Sequence, residues 1–130
     1  MLQPINPPGA NFPGMSQAIV VRKGCPLFLS GHVPVDSKGE LVVGDFETQL
    51  EAVFEAIGRT LSAARVGFDA LARLTIYVVR YDSSMLPILR RVRARYLSAE
   101  APPASVLVAV AGLYDPRVQV EIEAVAVVPE

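Results

Sequence analysis

The eleven residues from Val118 to Val128, VQVEIEAVAVV, restrict the possible folds more than any other stretch. Read with a strand's period of two, Val120, Ile122, Ala124 and Ala126 share one apolar face, while Gln119, Glu121 and Glu123 share the other with Val125 and Val127. The preceding run ASVLVAVAGL, Ala104 to Leu113, is apolar on both faces. Strands of this kind belong inside a sheet covered on both sides. The rest of the chain must therefore supply cover, or a partner must.

Two segments have the helical period. In DFETQLEAVFEAIGRTLSAARVG, the residues Phe46, Leu50, Val53, Phe54, Ile57, Leu61 and Ala64 form one stripe, with Asp45 as N-cap and Gly67 as the C-terminal stop. A second helix is predicted from about Ser84 to Leu97, with Ile88, Leu89, Val92 and Tyr96 facing the sheet and Pro87 tolerated in its first turn. Between them ALARLTIYVVR reads as a strand. Upstream, SQAIVVRKGCPLFLSG reads as two strands joined in a hairpin at Arg22-Lys23-Gly24, and VPVDSKGELVVG as a short hairpin turning at Ser37-Lys38-Gly39. Residues 1–14 hold four of the eleven prolines and read as an irregular arm.

This order describes a single α+β domain over residues 1–130, two helices on one face of a mixed sheet. The other sheet face is left bare, and closed homo-oligomers commonly cover such a face. A hydrophobic fraction of 52% agrees with a buried subunit interface.

Charge and cysteine usage narrow the function. A net charge of -1 argues against a nucleic-acid partner. The lone Cys25 excludes an intrachain disulfide or thiolate cluster, fits a reducing, cytoplasmic setting, and reads as a buried, inert thiol. The apolar runs are too short to span a bilayer as helices, and the N-terminus has no secretory pattern, so neither membrane insertion nor secretion is expected.

Few residues stand out for chemistry. Glu121 and Glu123, spaced i, i+2 on a strand, lie roughly 7 Å apart and could divide acid and base roles; a solvated strand end is the plainer reading. His32, the single histidine, excludes a multi-histidine metal site and fits a structural or surface role better than a ligand contact. Arg90, Arg91, Arg93 and Arg95 spread over the polar side of the second helix, with Arg91 and Arg95 repelling at i, i+4. They read as a solvated face, or as an anion site at one edge of the run. No metal or cofactor motif is present.

In order along the chain, SQA, SGHVPVD.KGELV.GD, Q...V...I...L..A, TIYVV, the tyrosine of the second helix and VEIEAVAV resemble the Rid family, the reactive enamine and imine deaminases also called the YjgF family. The resemblance runs from Met15 to Val128. It implies a chorismate-mutase-like subunit, a mixed six-stranded sheet with two helices on one face, assembled as a homotrimer that binds a small metabolite between subunits without a cofactor. It further implies that Glu121 positions the hydrolytic water, that Gly31 is the pocket glycine, and that Val106 offers a backbone amide. Aligned on Ser105, Ala104 stands where deaminating members carry the arginine that grips the substrate carboxylate. Met15 replaces the family's pocket tyrosine, His32 its glutamine, and Arg90 falls at the asparagine of the second helix. Loss of a bidentate guanidinium removes charge-assisted bonds of about 1.5–3 kcal/mol each. The resemblance thus leaves two expectations: an imine or enamine deaminase with altered substrate preference, in which Arg90 replaces the missing cation, or a ligand-binding or scaffold protein without turnover. Ribonuclease activity is not expected, since residues for acid-base cleavage of RNA are not assembled.

Overall fold

A computed structural model describes residues 1–10 and 12–130. In chain order the elements are β1 (Leu2–Ile5), β2 (Ala18–Val21), β3 (Cys25–His32), α1 (Phe46–Ala63), β4 (Leu71–Val79), α2 (Met85–Ala94), β5 (Ala104–Val110) and β6 (Val120–Val128), with one 3-10 turn at Phe68–Ala70. The six strands divide into a four-stranded mixed sheet, ordered β3-β6-β4-β5, and a separate antiparallel pair β1-β2. Only β4 and β5 run parallel, and α2 makes the crossover that a parallel pair requires.

The apolar stripe of α1 forms as its spacing predicts. Leu50, Val53, Phe54, Ile57 and Leu61 are fully buried, and they meet Leu74, Ile76 and Val78 of β4 and Val120, Ile122, Ala124 and Ala126 of β6. Leu89 and Val92 bring α2 onto the same face. Asp45 caps α1 by accepting a hydrogen bond from the Thr48 amide at 2.8 Å, which holds its carboxyl below the usual range.

Five local expectations are corrected. The α1 stop is Arg65, not Gly67: Arg65 takes the left-handed conformation (φ 62°), and the Val66 amide donates to Leu61 O while the Arg65 amide donates to Ser62 O. The helix must reverse before Val66 to pack that side chain on the core, two residues ahead of the glycine. The β2–β3 hairpin does not form. β2 pairs with the arm strand β1, and β3 pairs with β6. The turn chemistry at Gly24 is present, yet burying Leu27 and Leu29 against the core requires β6 as the neighbour. The arm is accordingly not irregular throughout, since Leu2–Ile5 is a strand. The hairpin at 33–44 shrinks to one bridge, Val35 to Leu41, around a turn where Asp36 accepts from the amides of Lys38 and Glu40. Finally, Cys25 is exposed at the edge strand.

Gln49 interrupts the stripe of α1 and is wholly buried. Its amide donates to Val42 O and Arg117 O, and its carbonyl accepts from the Gln119 amide. One side chain thus ties two loops and the start of β6 to the helix.

With both helices on one side, the opposite sheet face stays open. It carries Phe28 of β3, Arg73, Thr75 and Tyr77 of β4, Val106 of β5, and Glu121, Glu123 and Val125 of β6. Phe28 is 76% exposed.

Candidate functional site

The alternation of β6 turns both carboxylates away from the helices. Glu121 is half-buried because its carboxylate lies against the backbone of Gly31, where any Cβ would collide with Oε2. Gly31 sits at the irregularity between Leu29 and His32, where β3 departs from its register with β6. Across the sheet Tyr77 is the register partner of Glu121, but its hydroxyl donates to Glu123 Oε1. That bond raises the phenol's pKa first, with burial adding to it. Glu123 is therefore engaged, and Glu121 receives no side-chain hydrogen bond among the described residues.

A second feature lies at the other end of the open face. Residues Met15–Gln17 run beside β5: the Ser16 amide donates to Pro103 O at 3.0 Å, its hydroxyl donates to Pro102 O, and Ser16 bridges to Ala104. Met15, Ser16, Gln17, Arg73, Ala104, Ser105 and Val106 line a shallow cavity of about 290 Å³. The fold thus gathers Met15, Ala104, Ser105 and Val106 in one place. It adds Arg73, which is the register partner of Ala104 on β4. Among the described residues Arg73 makes no ion pair. Its other side borders a second cavity of about 290 Å³ with Phe28, Thr75, Glu123 and Val125.

These two features are far apart within one chain. From Arg73 to Tyr77 is four residues along β4, roughly 13 Å, and β5 to β6 spans two strand spacings, roughly 10 Å. A small molecule touching Ala104 cannot reach Glu121 of the same chain.

The remaining candidates lie elsewhere. His32 faces α1: its Nδ1 donates to Ser30 O at 2.6 Å, and its Nε2 is hydrogen-bonded to the Thr60 hydroxyl at 2.7 Å. Arg90 lines a separate cavity of about 190 Å³ with Pro13, Gly14 and Arg93. Arg91 and Arg95 do not repel each other freely, because Glu47 of α1 bridges both and Glu51 pairs with Arg95. Among the described residues no group of three or more His, Cys, Asp or Glu side chains could hold a metal ion, and no helix is long and apolar enough to cross a membrane.

Sequence reasoning missed Arg73, Gln49 and the burial of Arg93. Arg73 had a signal, since it shares the outward period of β4 with Thr75 and Tyr77, but its partner Ala104 is thirty-one residues away. Gln49 was visible as a polar residue on an apolar stripe.

Similar proteins fit this geometry. A family model described as "Endoribonuclease L-PSP" matches residues 11–128. A RutC family protein of Pyrococcus horikoshii is 38% identical over 113 residues, covering 85% of this chain and 84% of that one. Protein DfrA of Myxococcus xanthus is 39% identical, covering 86% and 83%. Among solved structures, the Rid family protein YyfB of Yersinia pestis superposes with a TM-score of 0.88 at 30% identity over 98% of each chain. RidA of an Antarctic Psychrobacter gives 0.71 at 32% identity over 87% of each. Matched by the family model over nearly its whole length and sharing the fold of these structures, the chain belongs to the Rid (YjgF, L-PSP) family.

Proposed function

We propose that the protein is a homotrimer that holds a small metabolite in clefts between subunits and hydrolyses an imine or related C=N bond there. One observation carries this reading: the Glu121 end and the Ala104 end of the open face are too far apart to serve one small ligand within a chain. Placed against a neighbour, one subunit's Glu121 meets the other's Ala104 cavity. The exposed Phe28 and Val106 supply apolar surface for that contact.

In this cleft Glu121 accepts a proton from water as the water oxygen bonds to the imine carbon and the C=N π electrons pass to nitrogen. The nitrogen then takes two protons, the one held by Glu121 and the one remaining on the added hydroxyl, and the C–N bond breaks to release ammonia and leave a carbonyl. The Val106 amide and Ser105 border the ligand, and Met15 replaces a polar contact by an apolar one. Arg73 takes over the carboxylate contact that Ala104 cannot make, from the adjacent strand, so the preferred acid differs in length or shape. Arg90 lines a different cavity and is not needed for this contact.

Ala104 favours a second reading, ligand binding without turnover. Imines of 2-oxo acids and cyclic imines generated in situ, followed with wild type, Glu121→Gln and Ala104→Arg, separate the two. Hydrolysis by wild type that Glu121→Gln abolishes supports the enzyme. Saturable binding with no turnover in wild type supports the binding protein. Ribonuclease action is outside the proposal, because both nitrogens of the one histidine are engaged within the subunit.

A further inference from the structure

The four arginines of α2 divide into two pairs with opposite circumstances. Arg91 and Arg95 are neutralised by Glu47 and Glu51. Arg90 and Arg93, one turn apart and therefore neighbours on the helix surface, make no ion pair among the described residues. Arg93 is only 6% exposed. Its Nη2 donates to Pro13 O at 3.0 Å, while Nε is buried with no hydrogen-bond partner among the described residues. Gly14, at φ 81°, lies so close above this guanidinium that a Cβ there would stand 2.6 Å from Nη2.

A buried cation without a counter-charge is costly, and a second cation beside it raises the cost. Burial first, and the charge of Arg90 second, push the Arg93 pKa below its ordinary value. The side chain remains charged nonetheless, since arginine does not deprotonate in proteins. The cavity in front of it, about 190 Å³, is otherwise lined by Pro13, Gly14, Ala94, Leu97, Ser98 and Ala99. Its volume is below the usual range for drug-sized ligands, roughly 300–1,000 Å³.

We propose that Arg90 and Arg93, beneath the Pro13–Gly14 segment, form a binding site for a small carboxylate with a short hydrocarbon body. The acid group pairs with the Arg90 guanidinium and with the edge of the Arg93 guanidinium that borders the cavity, and the hydrocarbon meets Leu97 and Ala99. This site is distinct from the cleft proposed above and does not depend on the hydrolytic reading. Pro13–Gly14 leads directly into Met15–Gln17 of the Ala104 cavity, so occupancy of the one site steadies a wall of the other.

The test is a titration of the full chain with butyrate, followed by amide chemical shifts, with inorganic phosphate as the comparison anion. Butyrate should give saturable shifts centred on Gly14, Ala94 and Leu97. Arg90→Ala, at an exposed position that leaves the core intact, should weaken the affinity about tenfold or more, the loss of one charge-assisted contact. Arg93→Lys should weaken it similarly. Absence of saturable shifts, unchanged affinity in Arg90→Ala, or shifts centred on Arg73 and Val106 would each overturn the proposal. Phosphate binding as tight as butyrate would overturn the assignment to a carboxylate with an apolar body.

Discussion

The Glu121 carboxylate rests on the backbone of Gly31, in space that only the absence of a side chain leaves open. Gly31→Ala should therefore displace the carboxylate rather than break the fold, because the colliding atoms are the far end of a flexible side chain. Unfolding free energy should change by less than about 1 kcal/mol. Imine hydrolysis should fall as far as in Glu121→Gln. A full-rate Gly31→Ala enzyme would show that the position of Glu121 does not matter.

Arg73 and Ala104 are register partners on the open face, which makes the two positions exchangeable sources of positive charge. Arg73→Ala should lower kcat/KM or affinity for a carboxylate-bearing imine about tenfold or more. Adding Ala104→Arg to that variant should restore most of the loss and shift the preference between acids. Steady-state kinetics over a series of imino acids of increasing length measures both effects.

Gln49 makes three hydrogen bonds from a fully buried position. Gln49→Leu keeps the volume but strands two carbonyls and one amide, each costing about 1–3 kcal/mol if water cannot reach it. A loss of about 3–5 kcal/mol is expected in urea unfolding, with Gln49→Glu also destabilised because it forfeits both donated bonds.

Acid should destabilise the protein within a defined window. Asp115 is held at about 2, from an ordinary 3.8, chiefly by the Arg117 guanidinium, and Glu47 lies below its ordinary 4.5 chiefly through Arg91. Asp45 is lowered by the Thr48 contacts. Carboxyls depressed in the folded state stabilise above their unfolded pKa, and that contribution fades as pH falls through the folded values. Tm should thus be flat in these groups above pH about 5 and decline from about 4.5 toward 2. Glu47→Gln should flatten the upper part of the decline.

The open face gives a further test. Phe28→Asp places a carboxylate at the most exposed aromatic of that face, without touching the core. Sedimentation should give a trimer for wild type and a monomer for the variant. Hydrolysis should vanish with the trimer while helical circular dichroism persists.

Much of the fold was readable along the chain because it rests on period and local chemistry. The stripe from Phe46 to Leu61, the Asp45 cap, the alternation of β4 and β6 and the order of elements all follow from residues within a few positions of one another. The ordered motifs likewise sufficed to identify the family. The tertiary structure decided the rest. It selected β1 as the partner of β2 and β6 as the partner of β3. It also paired Arg91 and Arg95 with α1 carboxylates while burying Arg93 under the arm, and turned His32 toward Thr60. Each of these choices joins residues far apart in sequence. Side-chain period says which face a residue takes but not which distant group stands there, and a charge acquires its meaning from that neighbour.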